Sequence, residues 1–138
     1  MAPASSEIVA VDTSVAIALL VASHSHHAAV TQWAGSLDLR LSGHAAVETY
    51  SVLTRLPGDA RVDPRDAIDI MDANFGEPLL LAPLAAHREL ARAGVAGGAV
   101  HDGLVALAAR EHGLRLATRD ARARTTYEVL GIGVELVA

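Results

Sequence analysis

The sequence predicts an α/β fold: a mainly parallel central sheet flanked by helices. Three observations predict it. Short apolar, β-branched segments alternate with helix-patterned segments along the whole chain. The chain is 51% hydrophobic but only 3% aromatic, so its core is built from Ala, Val, Leu and Ile. It has 138 residues and shows no internal repeat, low-complexity tract or long linker, so one domain over residues 1–138 is the economical reading.

Glu7 to Val11 reads as a short buried strand, and Thr13 to Val21 as a helix with Asp12 at the junction. Ser25 is a candidate cap for a helix from about His26 to Gly35. Asp38 to Leu41 is a strand candidate, and His44 to Leu56 a helix stopped by Pro57-Gly58. Asp63-Pro64 opens a helix to about Phe75, with Pro64 suited to the first helical position. Pro78 to Leu81 reads as a strand, and Leu84 to Ala93 as a helix ending at Gly94. Gly97-Gly98 breaks the chain before an apolar helix from about Val100 to His112, with Gly113 as its left-handed cap. Leu114 to Ala117 is a strand, Thr125 to Leu130 a short helix, and Gly133 to Val137 the last strand.

Composition narrows the function classes. No apolar run reaches the roughly 18 to 20 residues of a membrane span. The first apolar run has no basic stretch before it, so a cytoplasmic location is expected. Without cysteine there are neither disulfides nor thiolate metal sites, so any metal must sit on oxygen or imidazole ligands. A net charge of −5 argues against general coating of nucleic acid. It leaves room for an acidic site neutralised by cations. All basic residues are Arg, which with the abundant Ala reads as coding bias rather than function.

Four acids stand out. Asp12 directly follows the first strand, and Asp120 follows the strand Leu114 to Ala117 after two residues. Ligand sites of open parallel sheets lie beyond the carboxyl ends of the strands. Asp102 begins a helix that is apolar nearly all round, where a carboxylate needs a partner or a cation. Glu48 sits inside the central helix, and Arg55 falls on roughly its side. Each acid also has an ordinary reading. Asp12 and Asp120 are plausible helix caps, Asp102 complements a helix dipole, and Glu48 suits a surface.

The ordered set Val9-Ala-Val-Asp12-Thr-Ser14, Glu48-Thr-Tyr-Ser-Val-Leu-Thr-Arg-Leu-Pro57, Val100-His-Asp102 and Leu116-Ala-Thr-Arg-Asp120 resembles the PIN-domain ribonucleases. Within them it looks like the VapC toxins of bacterial toxin–antitoxin pairs, and the resemblance spans nearly the whole chain. It implies a parallel sheet and acids that converge on Mg²⁺ or Mn²⁺. Asp12, Glu48 and Asp102 would be the core ligands, with Asp120 the more variable fourth acid. Thr13 and Thr118 match hydroxyl positions that support such a site. None of the four acids is replaced, so an active enzyme is expected. The resemblance further implies hydrolysis of RNA, a VapB-type antitoxin that presents Arg to the acids, and a homodimer.

Arg119, Arg122 and Arg124 cluster beside Asp120 and are candidate contacts for the RNA backbone; a solvated turn is the competing reading. His24, His26 and His27 lack a matching downstream pair for zinc and are assigned structural or solvent roles. His101 projects about 100° around the helix from Asp102, which suits packing or surface exposure. Trp33, Tyr50 and Phe75 read as core or interface anchors. The rival to an enzyme is a catalytically silent PIN-like module that binds RNA or protein. A receiver domain would need a late Lys, and a haloacid-dehalogenase-like phosphatase an Asp-x-Asp motif; the chain has neither.

Overall fold

The computed structural model describes residues 6–82 and 86–138. Its centre is strand β1 (Ile8–Val11), flanked by β2 (Asp38–Leu41) and β3 (Leu116–Thr118), with β4 (Val134–Leu136) beyond β3. All three pairings are parallel, and Val11 lies in register with both Leu41 and Ala117. Val9, Ala10, Val11, Leu116 and Ala117 are fully buried, as expected for strands covered on both faces.

The strand order β2-β1-β3-β4 has one consequence for the site. From β1 the chain moves to one side to form β2, and later to the other side to form β3. The crevice at the carboxyl ends of β1 and β3 is therefore the topological switch point, where open α/β sheets bind ligands. Asp12 and Asp120 flank that crevice.

Helix α1 (Thr13–Leu20) starts at Asp12 and packs on α2 (His27–Ala34) and α3 (Ala45–Leu53). Helix α4 (Pro64–Asn74) has Pro64 at its start, and the Asp63 side chain accepts from the Arg65 N–H at 3.1 Å. Helix α5 (Ala86–Arg92) packs on α6 (Ala99–Glu111), which in turn packs on α7 (Ala121–Val129). No helix among the described residues is long and apolar enough to cross a membrane.

Several elements differ from the sequence expectation for identifiable reasons. The predicted strand Pro78 to Leu81 reduces to one parallel bridge between Ser42 and Leu79. Pro78 has no N–H to extend the ladder. Strand β3 begins at Leu116 rather than Leu114, because the preceding helix cap takes the Leu114 amide. Gly113, at φ +67°, donates to Arg110 O, and Leu114 N–H to Ala109 O, which is a Schellman ending. The short helix expected at Thr125 to Leu130 is α7, four residues longer at its start and capped by Asp120. Ser25 does not cap α2; the residue before that helix is His26, whose N–H goes to His24 Nδ1. Helix α3 ends before Pro57, at Thr54, whose hydroxyl donates back to Tyr50 O, so Arg55 lies beyond it rather than on the face of Glu48. The expected start of the next helix at Leu84 lies outside the described residues.

One close approach brings two of the site's helices together. Gly43, at φ +56°, links β2 to α3, and a Cβ there would stand 2.9 Å from the Leu104 carbonyl oxygen of α6. Next to it, the buried Ser42 hydroxyl donates to Val105 O at 2.8 Å. The start of α3, carrying Glu48, is thereby pinned against the first turns of α6, carrying Asp102.

Candidate active site

Asp12 is the most enclosed of the acids, at 5% exposure. Its extended backbone ends β1 and turns the chain into α1. Oδ1 accepts from the Ser14 hydroxyl at 2.6 Å and from Val15 N–H at 3.3 Å, and Oδ2 accepts from the Tyr127 hydroxyl at 2.8 Å. Three donors offset the cost of burying this carboxylate. The helix-cap reading of Asp12 holds, since its side chain accepts from Val15 N–H at the start of α1.

The Ser14 hydroxyl also accepts from Arg119 N–H at 2.8 Å and lies 3.4 Å from Thr118 Oγ1. Thr118, fully buried at the end of β3, accepts from Asp120 N–H at 3.0 Å. Ser14 and Thr118 therefore tie the ends of β1 and β3 together and hold Asp12 and Asp120 in one frame. Asp120 caps α7 through Oδ1, which accepts from Arg122 and Ala123 N–H at 2.9 and 3.4 Å. Across the cleft, Thr13 donates to Glu48 Oε2 at 3.0 Å.

Asp102 is half-buried in the first turn of α6, and no side-chain hydrogen bond reaches it among the described residues. Burial pushes its pKa up, and the charges of Asp120, Asp12 and Glu48 push it further, with a small opposing effect from His101. Asp102 is thus within electrostatic reach of the other three acids. Burial, the charge of Asp12 and the hydrogen bond to it hold the Tyr127 phenol far above its ordinary range, so it is a neutral donor.

Asp12, Thr13, Ser14, Glu48, Asp102, Asp120, Ala123 and Tyr127 line a cleft of about 300 Å³ that also includes Ile17, His24, Val105 and Arg119; Thr118 is fully buried and is not in its wall. Of the three arginines singled out in the sequence, only Arg119 reaches it. The Arg119 Nε is buried without a hydrogen-bond partner among the described residues. Arg122 points into solvent, 3.8 Å from Asp120 Oδ1, and Arg124 pairs with Glu128 at 2.6 Å. Arg119 lies in the turn between β3 and α7, whereas Arg122 and Arg124 lie on α7, whose inner face is taken by Ala123 and Tyr127, four residues apart.

The donor set fits a hard divalent cation. It consists of carboxylates and hydroxyls with the single imidazole of His24, without thiolate. Asp120 Oδ2 and both oxygens of Asp102 make no hydrogen bond among the described residues. Among the described residues, no three acidic or imidazole groups already surround one point at ligand spacing. Asp12 and Glu48 instead lean onto the hydroxyl donors beside them.

Sequence reasoning missed Ser14, Tyr127 and His24 as cleft residues. Ser14 stood in the first motif, and its position two residues after Asp12 in a helix's first turn was the available signal. Tyr127 lies seven residues, two helical turns, beyond Asp120, on a helix whose polar start hid it. Phase within α7 was the only clue to its inward direction.

A family model described as "PIN domain" matches residues 9–129. The chain is 54% identical over 132 residues to Ribonuclease VapC27 of Mycobacterium tuberculosis, covering 94% of this chain and 96% of that protein. It is 41% identical over 138 residues to Ribonuclease VapC40 of the same species, covering 94% and 99%. Among solved structures it is similar to VapBC2 from Rickettsia felis, crystallised bound to a DNA fragment from its promoter. That match has a TM-score of 0.66 at 12% identity, covering 95% of this chain and 99% of that one. The α/β sheet with its acids at the switch point, the match across residues 9–129 and the two close relatives place this chain in the PIN-domain family, among the VapC proteins.

Proposed function

We propose that this protein is a toxin endoribonuclease that hydrolyses RNA phosphodiester bonds with Mg²⁺ or Mn²⁺ and is inhibited by a cognate VapB-type antitoxin. One observation carries the reading: Asp12, Glu48, Asp102 and Asp120 meet in a single cleft at the sheet's switch point, with the Arg119 guanidinium in its wall. The names of the two close relatives support the ribonuclease assignment.

Asp12 and Asp102 are the most direct metal ligands in this proposal, Glu48 a third, and Asp120 the more variable fourth. Bound there, the cation supplies Lewis acidity and lowers the pKa of a coordinated water. Ser14 and Tyr127 fix the Asp12 carboxylate, so its orientation does not depend on substrate. Thr13 restrains Glu48, and Thr118 sets the turn that presents Asp120. Arg119 offers its planar cation to a phosphate oxygen, which the acids alone would repel. Arg122 and Arg124 are left to contact the RNA backbone farther out. The same acids would accept an antitoxin guanidinium, and the likeness to VapBC2 from Rickettsia felis supports such a partner. A homodimer is part of the same proposal, and the exposed Leu80 is one apolar side chain that a second copy would cover.

The test is cleavage of a total-RNA pool by purified, antitoxin-free protein with Mg²⁺, Mn²⁺ or chelator, beside Asp12→Ala. Discrete fragments that require metal and vanish in the variant are expected. Folded protein that cuts nothing in the pool would overturn the proposal and favour a silent binding module.

A further inference from the structure

Beside the acidic cleft lies a second depression, a groove of about 430 Å³. Glu48 and Asp102 line both, so the two form one continuous surface with the acids at the divide. The rest of the groove is lined by His44, Val47, Ser51, Gly98 and His101. His44 precedes the first turn of α3, and His101 precedes Asp102 in α6. Their rings stand 6.3 Å apart between centroids, tilted by 45°. The close approach at Gly43 brings the two helices near enough for that pairing.

Neither imidazole has a structural duty. Both residues are exposed, and neither side chain makes a hydrogen bond among the described residues. His44 occupies the cap position of α3 without capping it. Val47 is 73% exposed, an apolar side chain left in solvent within the same groove.

We propose that His44 and His101 form a nucleobase subsite that seats an unpaired RNA base next to the scissile phosphate. This inference rests on the ribonuclease reading above. The groove's chemistry selects a base over a phosphate. It contains no Arg or Lys, and Glu48 and Asp102 would repel a second anion. Val47 and the imidazole faces suit a flat, weakly polar ring, while the imidazole edges can hydrogen-bond to base edges. Recognition of single-stranded RNA relies on such splayed bases stacked on aromatic or His side chains. The volume falls within the usual range of small-ligand sites. Continuity with the acids identifies the occupant as the nucleotide flanking the cut rather than an unrelated ligand.

The experiment compares wild type, the double variant His44→Ala/His101→Ala, and His44→Phe/His101→Phe. Affinity for a fluorescent mixed-sequence single-stranded RNA is read by anisotropy in Ca²⁺, with strand integrity checked on a gel. A matching strand without bases serves as the control. Loss of the two rings should weaken RNA binding about tenfold or more, the Phe pair should restore it, and the abasic strand should bind all three proteins alike. Unchanged RNA affinity in the Ala variant, or an equal loss on the abasic strand, would overturn the subsite. An Ala variant that keeps its RNA affinity but dissociates from dimer to monomer in light scattering would assign the groove to a second copy and also overturn it. Cleavage of total RNA in Mn²⁺ separates the two layers. A wild type that cuts RNA, beside an Ala variant that binds RNA equally well, sinks the subsite alone. A wild type that neither binds nor cuts sinks the ribonuclease reading as well.

Discussion

The Tyr127 hydroxyl donates a 2.8 Å hydrogen bond to Asp12 Oδ2, joining the last helix to the first strand across 115 positions of sequence. Tyr127 is 1% exposed and Asp12 5%, so water has little access to the pair. Tyr127→Phe keeps the ring and deletes only the donor. We expect a loss of about 1–3 kcal/mol in chemical denaturation, the cost of stripping a buried charged acceptor of a partner. Metal affinity measured by calorimetry should fall as well, because Asp12 is then less restrained.

Ser14 and Thr13 are neighbours with different weights. Ser14→Ala removes a donor from Asp12 and an acceptor from the Arg119 amide together. Thr13→Ala removes only an exposed contact to Glu48. The Ser14 variant should lower kcat by about tenfold or more, with a smaller effect from the Thr13 variant, since a lost hydrogen bond to a charged group is worth about 1.5–3 kcal/mol. Equal effects in single-turnover assays would show that the bridge between β1 and β3 does not matter.

Asp102 should make the metal-free protein pH-sensitive. Its folded pKa is raised by burial, then by Asp120, Asp12 and Glu48, so the fold binds this proton more tightly than the unfolded chain does. Below the ordinary aspartate range both states are protonated and nothing is lost. As pH rises from there through the raised folded value, the fold takes on an unfavourable charge and stability falls. Asp102→Asn removes that charge. Thermal melts in chelator should show the variant more stable than wild type at neutral pH and the difference shrinking in acid. Cleavage should be abolished, and full retained activity would refute the role given to Asp102.

Divalent metal should reverse the same strain. Mg²⁺ or Mn²⁺ at about a hundred times its Kd should stabilise the fold by about 2.7 kcal/mol if it binds only the native state. Asp12→Ala and Asp102→Asn should each lose most of that shift in a melting titration.

Gly43→Ala should be costly despite its distance from the chemistry. A side chain there meets the Leu104 carbonyl oxygen at 2.9 Å and must hold a positive φ. We expect about 1–3 kcal/mol of destabilisation and a drop in activity, because the start of α3 and Glu48 must move away from α6.

What was legible in the sequence was local. Asp12 could be placed because a β-branched run visibly ends at Val11. The parallel sheet followed from alternation of strand and helix patterns. Gly113 and Pro64 announced their helix ends because left-handed backbone and a fixed φ suit few other residues. The misses were matters of long-range geometry or of competition for one amide. Tyr127 gives no local sign of its bond to Asp12. Polar, Thr-containing sequence masked the first turns of α7. Leu114 looked like strand, but its N–H belongs to the preceding helix. Arg119 parts from Arg122 and Arg124 because it sits in the turn after β3, held by Ser14, while the other two ride the outer face of α7.

The bond between Tyr127 and Asp12 also bears on how such a protein is made. Translation delivers Asp12 more than a hundred residues before α7 is complete, and domains fold as units while they are synthesised. Until α7 has emerged and docked, the first carboxylate lacks one of its three donors, and Asp120 has no helix to cap. A nascent chain of an RNA-cutting toxin is thus still unassembled at its cutting edge while the ribosome and messenger beside it are within reach. That gives the host an interval of safety during synthesis, set by where in the chain the last anchor is encoded.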